Sequence, residues 1–302
     1  MVSRSAIRSY SHRDFPLQRL LASKRATVSV CLPARNEART IGRILSALAP
    51  LAQQGLVDQL VVVDNSTDGT GEIAAELGAE VYDQEELLPE IGPVLGKGDA
   101  MWRALEVLSG EVICFLDADS EEFGDHFACG LLGPLITDPG ISFVKGYYRR
   151  PFRVGDTTYP EGGGRVTELT ARPLLDLFYP ELAAVRQPLA GEIAARRELL
   201  ERLPFVTGYG VDIALLLDAC AEAGLDSLAQ VDLDVRQNAH QSLEDLGPMA
   251  RAVLHAVASR LLREGRLSDP FSASVMSLAG EAGPSHQLPV ERPPAASLRA
   301  AA

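Results

Sequence analysis

The chain has 302 residues, a net charge of −13, and 46 % apolar against 23 % charged residues. This is ordinary globular usage, which excludes a disordered or collagen-like chain, and the length suits one large domain or two fused lobes. No long basic run offsets the acidity, so a duplex nucleic-acid binder is disfavoured, and anionic substrates would need local cations or a bound metal.

Residues 1–25 are polar and mixed and read as a loosely held arm, with no apolar segment of the signal-peptide kind. Residues 27–33 (TVSVCLP) predict a buried strand. The loop Ala34-Arg35-Asn36-Glu37 leads into a helix with Ile41, Ile44, Leu45 and Leu48 on one face, ended by Pro50. Residues 59–64 (QLVVVD) form a second buried strand, followed by the turn and cap formers Asn65 to Thr70 and a short helix. Residues 79–82 read as a third strand. An irregular loop over 84–95 ends in Gly96-Lys97-Gly98 and another helix. Residues 111–117 (EVICFLD) and 141–146 (ISFVKG) are two more strands. Strands alternating with helices predict an α/β fold with a mostly parallel sheet covered on both faces.

The texture changes after residue 150. A Gly-rich loop at 161–165 precedes a helical stretch to 178, Pro188–Gly191 is a loop, and Gly208-Tyr209-Gly210 precedes an apolar helix. Residues 228–235 alternate like a strand and 243–264 read as helix. From about 268 the chain is Ser-, Ala-, Gly- and Pro-rich and reads as a disordered tail. The expected division is therefore an arm (1–25), a first region of alternating strands and helices (26–150), a second region (151–267) and the tail (268–302). The four cysteines show no CxxC spacing, and no apolar stretch reaches the roughly 18–20 residues of a membrane span. Both features suit a reducing, cytoplasmic location.

Ligands of parallel sheets bind beyond the carboxyl ends of the strands, so the loops after Pro33, Asp64 and Asp117 should share one crevice. Asp117-Ala118-Asp119 ends a buried strand, and two carboxylates at i and i+2 can turn toward one hard cation such as Mg2+ or Mn2+. In Gly96-Lys97-Gly98 the glycines let backbone approach a ligand while the lysine offers a point charge to phosphate; the Walker spacing is absent. Each signal alone has an ordinary structural reading as a turn, a cap or a solvated strand end. Their shared order carries the argument.

That order resembles the GT-A glycosyltransferase fold: a mostly parallel nucleotide-binding sheet flanked by helices, plus a smaller acceptor-binding half. YYRRPF (147–152), GGGRVTELTARPLL (162–175), QPLAGEIAARRELL (187–200), LPFVTGYGVDIALLLD (203–218) and DLGPMAR (245–251) narrow the resemblance. Together they resemble the glucosyl-3-phosphoglycerate synthases, glycosyltransferase family 81, over residues from about 10 to 265. The resemblance implies retaining, metal-dependent transfer of glucose from a nucleotide-diphosphate glucose, UDP-glucose being favoured, to the 2-hydroxyl of 3-phosphoglycerate, a step of glucosylglycerate biosynthesis. The alternative is a mannosyl-3-phosphoglycerate synthase using GDP-mannose, or a donor-promiscuous enzyme of the same fold.

Carried over position by position, the resemblance implies donor binding by Pro33, Ala34, Glu37, Ser66, Gly96, Lys97, Asp117 and Ala118. Acceptor binding falls to Gly164, Arg165, Val166, Thr167, Tyr209 and Arg236. The catalytic set is Asp119, Leu189 and Asp212, and the metal would be Mg2+ or Mn2+ on Asp119 with Asn238 or His240. The family's usual metal-binding histidine lies two residues after the arginine of the Val235-Arg236 segment; here that position is Asn238, and the histidine is His240. Retention could proceed by double displacement on Asp212 or Glu192, or by front-face departure and attack, which is favoured. A homodimer is expected, through the helices after residue 240, with no nucleic-acid or membrane partner.

Overall fold

Short runs of Val, Ile, Leu, Cys and Phe set the architecture, because such runs are stable only when both of their faces are covered. The computed structural model describes residues 7–154, 157–159, 163–237, 242–268 and 289–299. In chain order these form β1 (Arg8–Ser11), α1 (Leu17–Ser23), β2 (Val28–Ala34), α2 (Ile41–Gln53), β3 (Gln59–Asp64), α3 (Thr70–Glu76), β4 (Glu80–Asp83), α4 (Lys97–Ala104), β5 (Val112–Phe115), α5 (His126–Thr137) and β6 (Phe143–Arg149). There follow β7 (Phe152–Val154), β8 (Thr157–Tyr159), α6 (Arg172–Phe178), β9 (Ile193–Arg196), α7 (Arg197–Leu200), β10 (Phe205–Val206), α8 (Val211–Ala223), β11 (Leu228–Val235), α9 (Leu243–Arg263), β12 (Glu291–Arg292) and α10 (Ala295–Arg299).

Eight strands make one sheet in the order β1-β11-β6-β9-β5-β2-β3-β4. Every pairing is parallel except those of β9, which runs antiparallel to both β5 and β6. Alternate residues of each strand enter opposite cores, as the two-residue side-chain period requires. Cys31, Val61, Val63, Ile113 and Phe115 pack with Trp102 of α4, Leu216 of α8 and Val257 of α9. Val30, Leu32, Val62 and Cys114 pack on the other face with Ile44 and Leu48 of α2 and Leu131 of α5. Helix α2 runs through Pro50 to Gln53 rather than ending at the proline.

Two expectations are corrected. The first 25 residues do not form a loose arm from residue 7 onward. Strand β1 extends the sheet beside β11, and Phe15 and Leu20 are buried. Second, the described stretch of the tail, 289–299, is structured: β12 pairs antiparallel with β10, and α10 follows it. Residues 269–288 lie outside the described residues. Strands β9 and β11 of the second half lie in the same sheet as β2 to β6. Strand β9 was absent from the expected elements because IAAR is short and only weakly β-forming. Its two neighbours hold it in place.

Candidate active site

Because the parallel strands share one direction, their carboxyl ends share one edge of the sheet. The antiparallel β9 presents its opposite end there, so the segment before it, Leu189 to Glu192, joins the loops after β2, β5 and β11. At this edge lies a cavity of about 570 Å3. It is lined by Pro33, Ala34, Glu37, Gly96, Lys97, Asp117, Ala118, Asp119, Gly164, Arg165, Val166, Thr167, Leu189, Tyr209, Asp212 and Arg236. Every site residue expected from the sequence is therefore here, apart from Ser66, Asn238 and His240. The Ser66 hydroxyl accepts from the Asn36 amide (2.7 Å) and donates to Asp64, and Ser66 lines a smaller recess with Asp83 and Glu85. Asn238 and His240 lie outside the described residues.

A network of charges organises the floor. Lys97 Nζ sits 2.7 Å from Asp117 Oδ1 and 3.4 Å from Asp212 Oδ2. Burial works against the ammonium, yet Asp117 and Asp212 outweigh it and hold the Lys97 pKa above its usual range. Burial likewise opposes the Asp117 charge, but Lys97 and Arg236 hold that carboxyl below the ordinary carboxylate range. Arg236 is 2 % exposed and contacts Asp117 Oδ2 (2.9 Å), Glu192 Oε1 (2.5 Å) and Asp119. The Tyr148 hydroxyl accepts from Arg236 (2.8 Å) and Arg150 (2.8 Å) and donates to Glu192 Oε2 (2.7 Å). Arg236, expected as an acceptor-binding cation, is thus already engaged by three carboxylates and orders both aspartates of the DxD. Glu192 has both oxygens occupied and is 1 % exposed, so it is not placed as a nucleophile.

Gly191 explains how closely these groups pack. A Cβ there would fall onto the Asp117 carboxylate and the Lys97 ammonium. The turn at Gly96 has φ +87°, a conformation glycine adopts without strain. Gly164, at φ +76°, opens the helical turn that carries Arg165, Val166 and Thr167.

Sequence reasoning missed several members. Asn65, Gln84, Arg150 and Met249 also line the cavity. Lys145 of β6, 1 % exposed, donates to the carbonyls of Ala190 (2.8 Å) and Asp212 (3.1 Å), and burial lowers its pKa to about 8 against the pull of Asp212. Its signal was a lysine inside the apolar run ISFVKG.

The donor chemistry fits a hard divalent cation. Burial, with Asp119 as the leading charged neighbour, raises the Glu37 carboxyl to about 7, and Glu37, Asp117 and Asp119 together line the cavity with carboxyl oxygens. Such oxygens suit a hard cation. No group of three or more potential ligating side chains occurs among the described residues. Asp119, at the cavity wall, is the described residue to which the resemblance would assign such a cation, together with substrate oxygens.

Residues 29–178 match the sequence profile of glycosyl transferase family 2. The chain is 49 % identical over 238 residues to the glucosyl-3-phosphoglycerate synthase of Mycobacterium tuberculosis, covering 78 % of this chain and 73 % of that one. It is 40 % identical over 301 residues to the enzyme of the same name from Petrotoga mobilis, covering 95 % and 93 %. Among solved structures it superposes on the Rubrobacter xylanophilus mannosyl-3-phosphoglycerate synthase with a TM-score of 0.86 at 45 % identity, covering 96 % of each chain. It matches the M. tuberculosis glucosyl enzyme in complex with Mn2+, UDP-glucose and phosphoglyceric acid with a TM-score of 0.82 at 40 % identity, covering 97 % and 99 %. Identity at this level across nearly whole chains, joined to a mostly parallel sheet whose carboxyl edge carries Asp117-Ala118-Asp119, establishes that the chain is a glycosyltransferase of the GT-A fold and belongs to the glucosyl-3-phosphoglycerate synthase family.

Proposed function

We propose that the chain transfers glucose from UDP-glucose to the 2-hydroxyl of 3-phosphoglycerate, with retention at the anomeric carbon. The observation that carries this reading is one cavity holding the Lys97–Asp117–Arg236 network, the DxD and the Gly163–Thr167 turn side by side. Five cationic and four acidic side chains line it, within a chain of net charge −13, so cations are concentrated where two anionic substrates would meet. Pro33, Ala34, Gly96 and Lys97 would bind the nucleotide diphosphate. Arg165 and the turn after Gly164 would bind the acceptor's carboxylate and phosphate, which suit a planar guanidinium.

A divalent cation on Asp119, Mg2+ or Mn2+, would neutralise charge on the leaving diphosphate. Asn238 or His240 would complete its ligand set. Asp212, fixed by Lys97, and Leu189, beside the buried Glu192, would bound the space for the sugar. With both Glu192 oxygens engaged, front-face departure and attack is favoured over a glutamyl intermediate, and catalysis rests on positioning. A homodimer belongs to the same reading.

A second reading, mannosyl transfer from GDP-mannose, is favoured by the 45 % identity to a mannosyl-3-phosphoglycerate synthase. The test incubates the protein with 3-phosphoglycerate, Mg2+ and either donor, with and without EDTA, and follows product by mass spectrometry. The expected result is a hexosylated product from UDP-glucose that chelation abolishes. Product from GDP-mannose alone would replace the glucosyl reading by the mannosyl one, and product from neither donor would refute the acceptor assignment.

A further inference from the structure

The donor-side turn is braced by a segment of the chain distant in sequence. Asp99, in the first turn of α4, is fully buried, and its Oδ2 accepts from the backbone amide of Leu95 (2.8 Å). That bond closes the loop over Gly96, Lys97 and Gly98. Arg292 of β12 approaches the same carboxylate in a two-pronged contact, Nε to Oδ1 and a terminal nitrogen to Oδ2, both 2.8 Å. Arg103, one helical turn along, stands 3.5 Å from Asp99 and spends its terminal nitrogens on the carbonyls of Leu88 and Gly92 in the preceding loop.

The segment around Arg292 is tied down on both sides. The Trp102 indole donates to the Pro293 carbonyl (2.8 Å), and the guanidinium of Arg292 lies over the Trp102 ring at 5.7 Å. Val290 exchanges two 2.8 Å hydrogen bonds with Thr207, just before the Gly208-Tyr209-Gly210 turn at the cavity wall. A buried carboxylate needs a hydrogen-bonded counter-charge, and a bidentate guanidinium fixes its orientation as well as its charge.

We propose that Arg292 is a positioning residue of the donor site: through Asp99 it sets the Leu95–Lys97 turn and so the place of the Lys97 ammonium. The C-terminal segment thereby belongs to the active-site architecture. The inference rests on reading the cavity as a nucleotide-sugar site, but one arm of its test does not.

The test compares Arg292→Met and Arg292→Lys with the wild-type chain. Leu135→Ala, a core variant on the far face of the sheet, controls for general destabilisation. Amide hydrogen exchange of a peptide covering residues 92–101 is expected to quicken at least about tenfold in Arg292→Met, with little change in that peptide in Leu135→Ala. The KM for the donor nucleotide sugar is expected to rise about fivefold or more while the acceptor KM stays within about twofold, with Arg292→Lys intermediate. Unchanged exchange and unchanged donor KM in Arg292→Met would overturn the proposal, as would equal effects in Leu135→Ala. Should Arg292→Met not fold, Arg292→Lys decides on the same two readouts. If wild-type protein transfers no sugar, the functional reading fails by itself, and the exchange arm still decides whether Arg292 holds the turn.

Discussion

Glu37 shows how burial and charge act on a single side chain. It lies in the loop after β2, and burial together with Asp119, Asp68 and Asp117 raises its carboxyl to about 7, while Thr40 pulls the other way. A carboxyl raised in the fold stabilises the folded state in its protonated form. That contribution is present below its unfolded value of about 4.3 and is lost as pH rises through about 7. Glu37→Gln cannot ionise, so it should gain stability relative to wild type at pH 8 and show no such gain at pH 4. Denaturant titrations at both pH values check the sign, and a constant difference would show that Glu37 is not held protonated. The neighbouring Asp117 behaves oppositely because Lys97 and Arg236 face it at 2.7 and 2.9 Å. Asp119, two residues further on, was readable as a strand-end carboxylate. The buried arginine that orders both was expected from the resemblance as an acceptor-binding cation, and its pairing with Glu192 and Tyr148 gave no local sign. The pairing joins residues more than 40 positions apart, which no sequence window contains.

At the scale of an element, α4 shows why its glycines matter. A Cβ on Gly98 would enter the Val206 carbonyl of β10 and press on Val211 of α8. The helix therefore approaches β10 along bare backbone, which lets Lys97 at its start reach Asp117 and Asp212. Gly98→Ala should overpack this contact, cost about 3 kcal/mol by thermal or denaturant unfolding and lower turnover through displacement of Lys97. A variant as stable and as active as wild type would show that α4 can shift freely. The motif Gly-Lys-Gly was legible, and so was its helix. The reason for the second glycine was not, because it lies in a strand some hundred residues further on.

For the whole molecule, the edges of the sheet are the instructive feature. Strand β1 covers β11, Phe15 packs against Gly133 of α5, where a Cβ would collide with its ring, and Arg8 pairs with Asp138 at 2.5 Å. An uncovered β11 would expose a row of unpaired amides and carbonyls, a template for association with other chains. A chain starting at Leu17 should lose stability and scatter light in proportion to its concentration, measured by static light scattering. A monodisperse truncated chain of unchanged stability would show that β1 is dispensable. All four cysteines are free thiols, three of them buried, so packing and pairing hold the fold without a disulfide. No helix among the described residues is long and apolar enough to cross a membrane.

What the sequence by itself determined is local. Apolar runs such as QLVVVD and EVICFLD become strands because only burial satisfies them, and the acids and glycines that end them reach the carboxyl edge because parallel strands share a direction. That rule placed Pro33, Ala34, Glu37, Asp117, Ala118 and Asp119 on the cavity wall, whereas Gly164 to Thr167, Leu189, Tyr209, Asp212 and Arg236 were expected from the family resemblance. Only the tertiary structure decided the rest. It inserted β9 antiparallel between β5 and β6 and thereby delivered Leu189 and Glu192 to the site. It placed Lys145 and Arg236 beneath the aspartates, and it returned Arg292 to Asp99. These outcomes depend on contacts between distant segments, where the free energy of covering an apolar face or pairing a buried charge exceeds any local preference of the residues that make them.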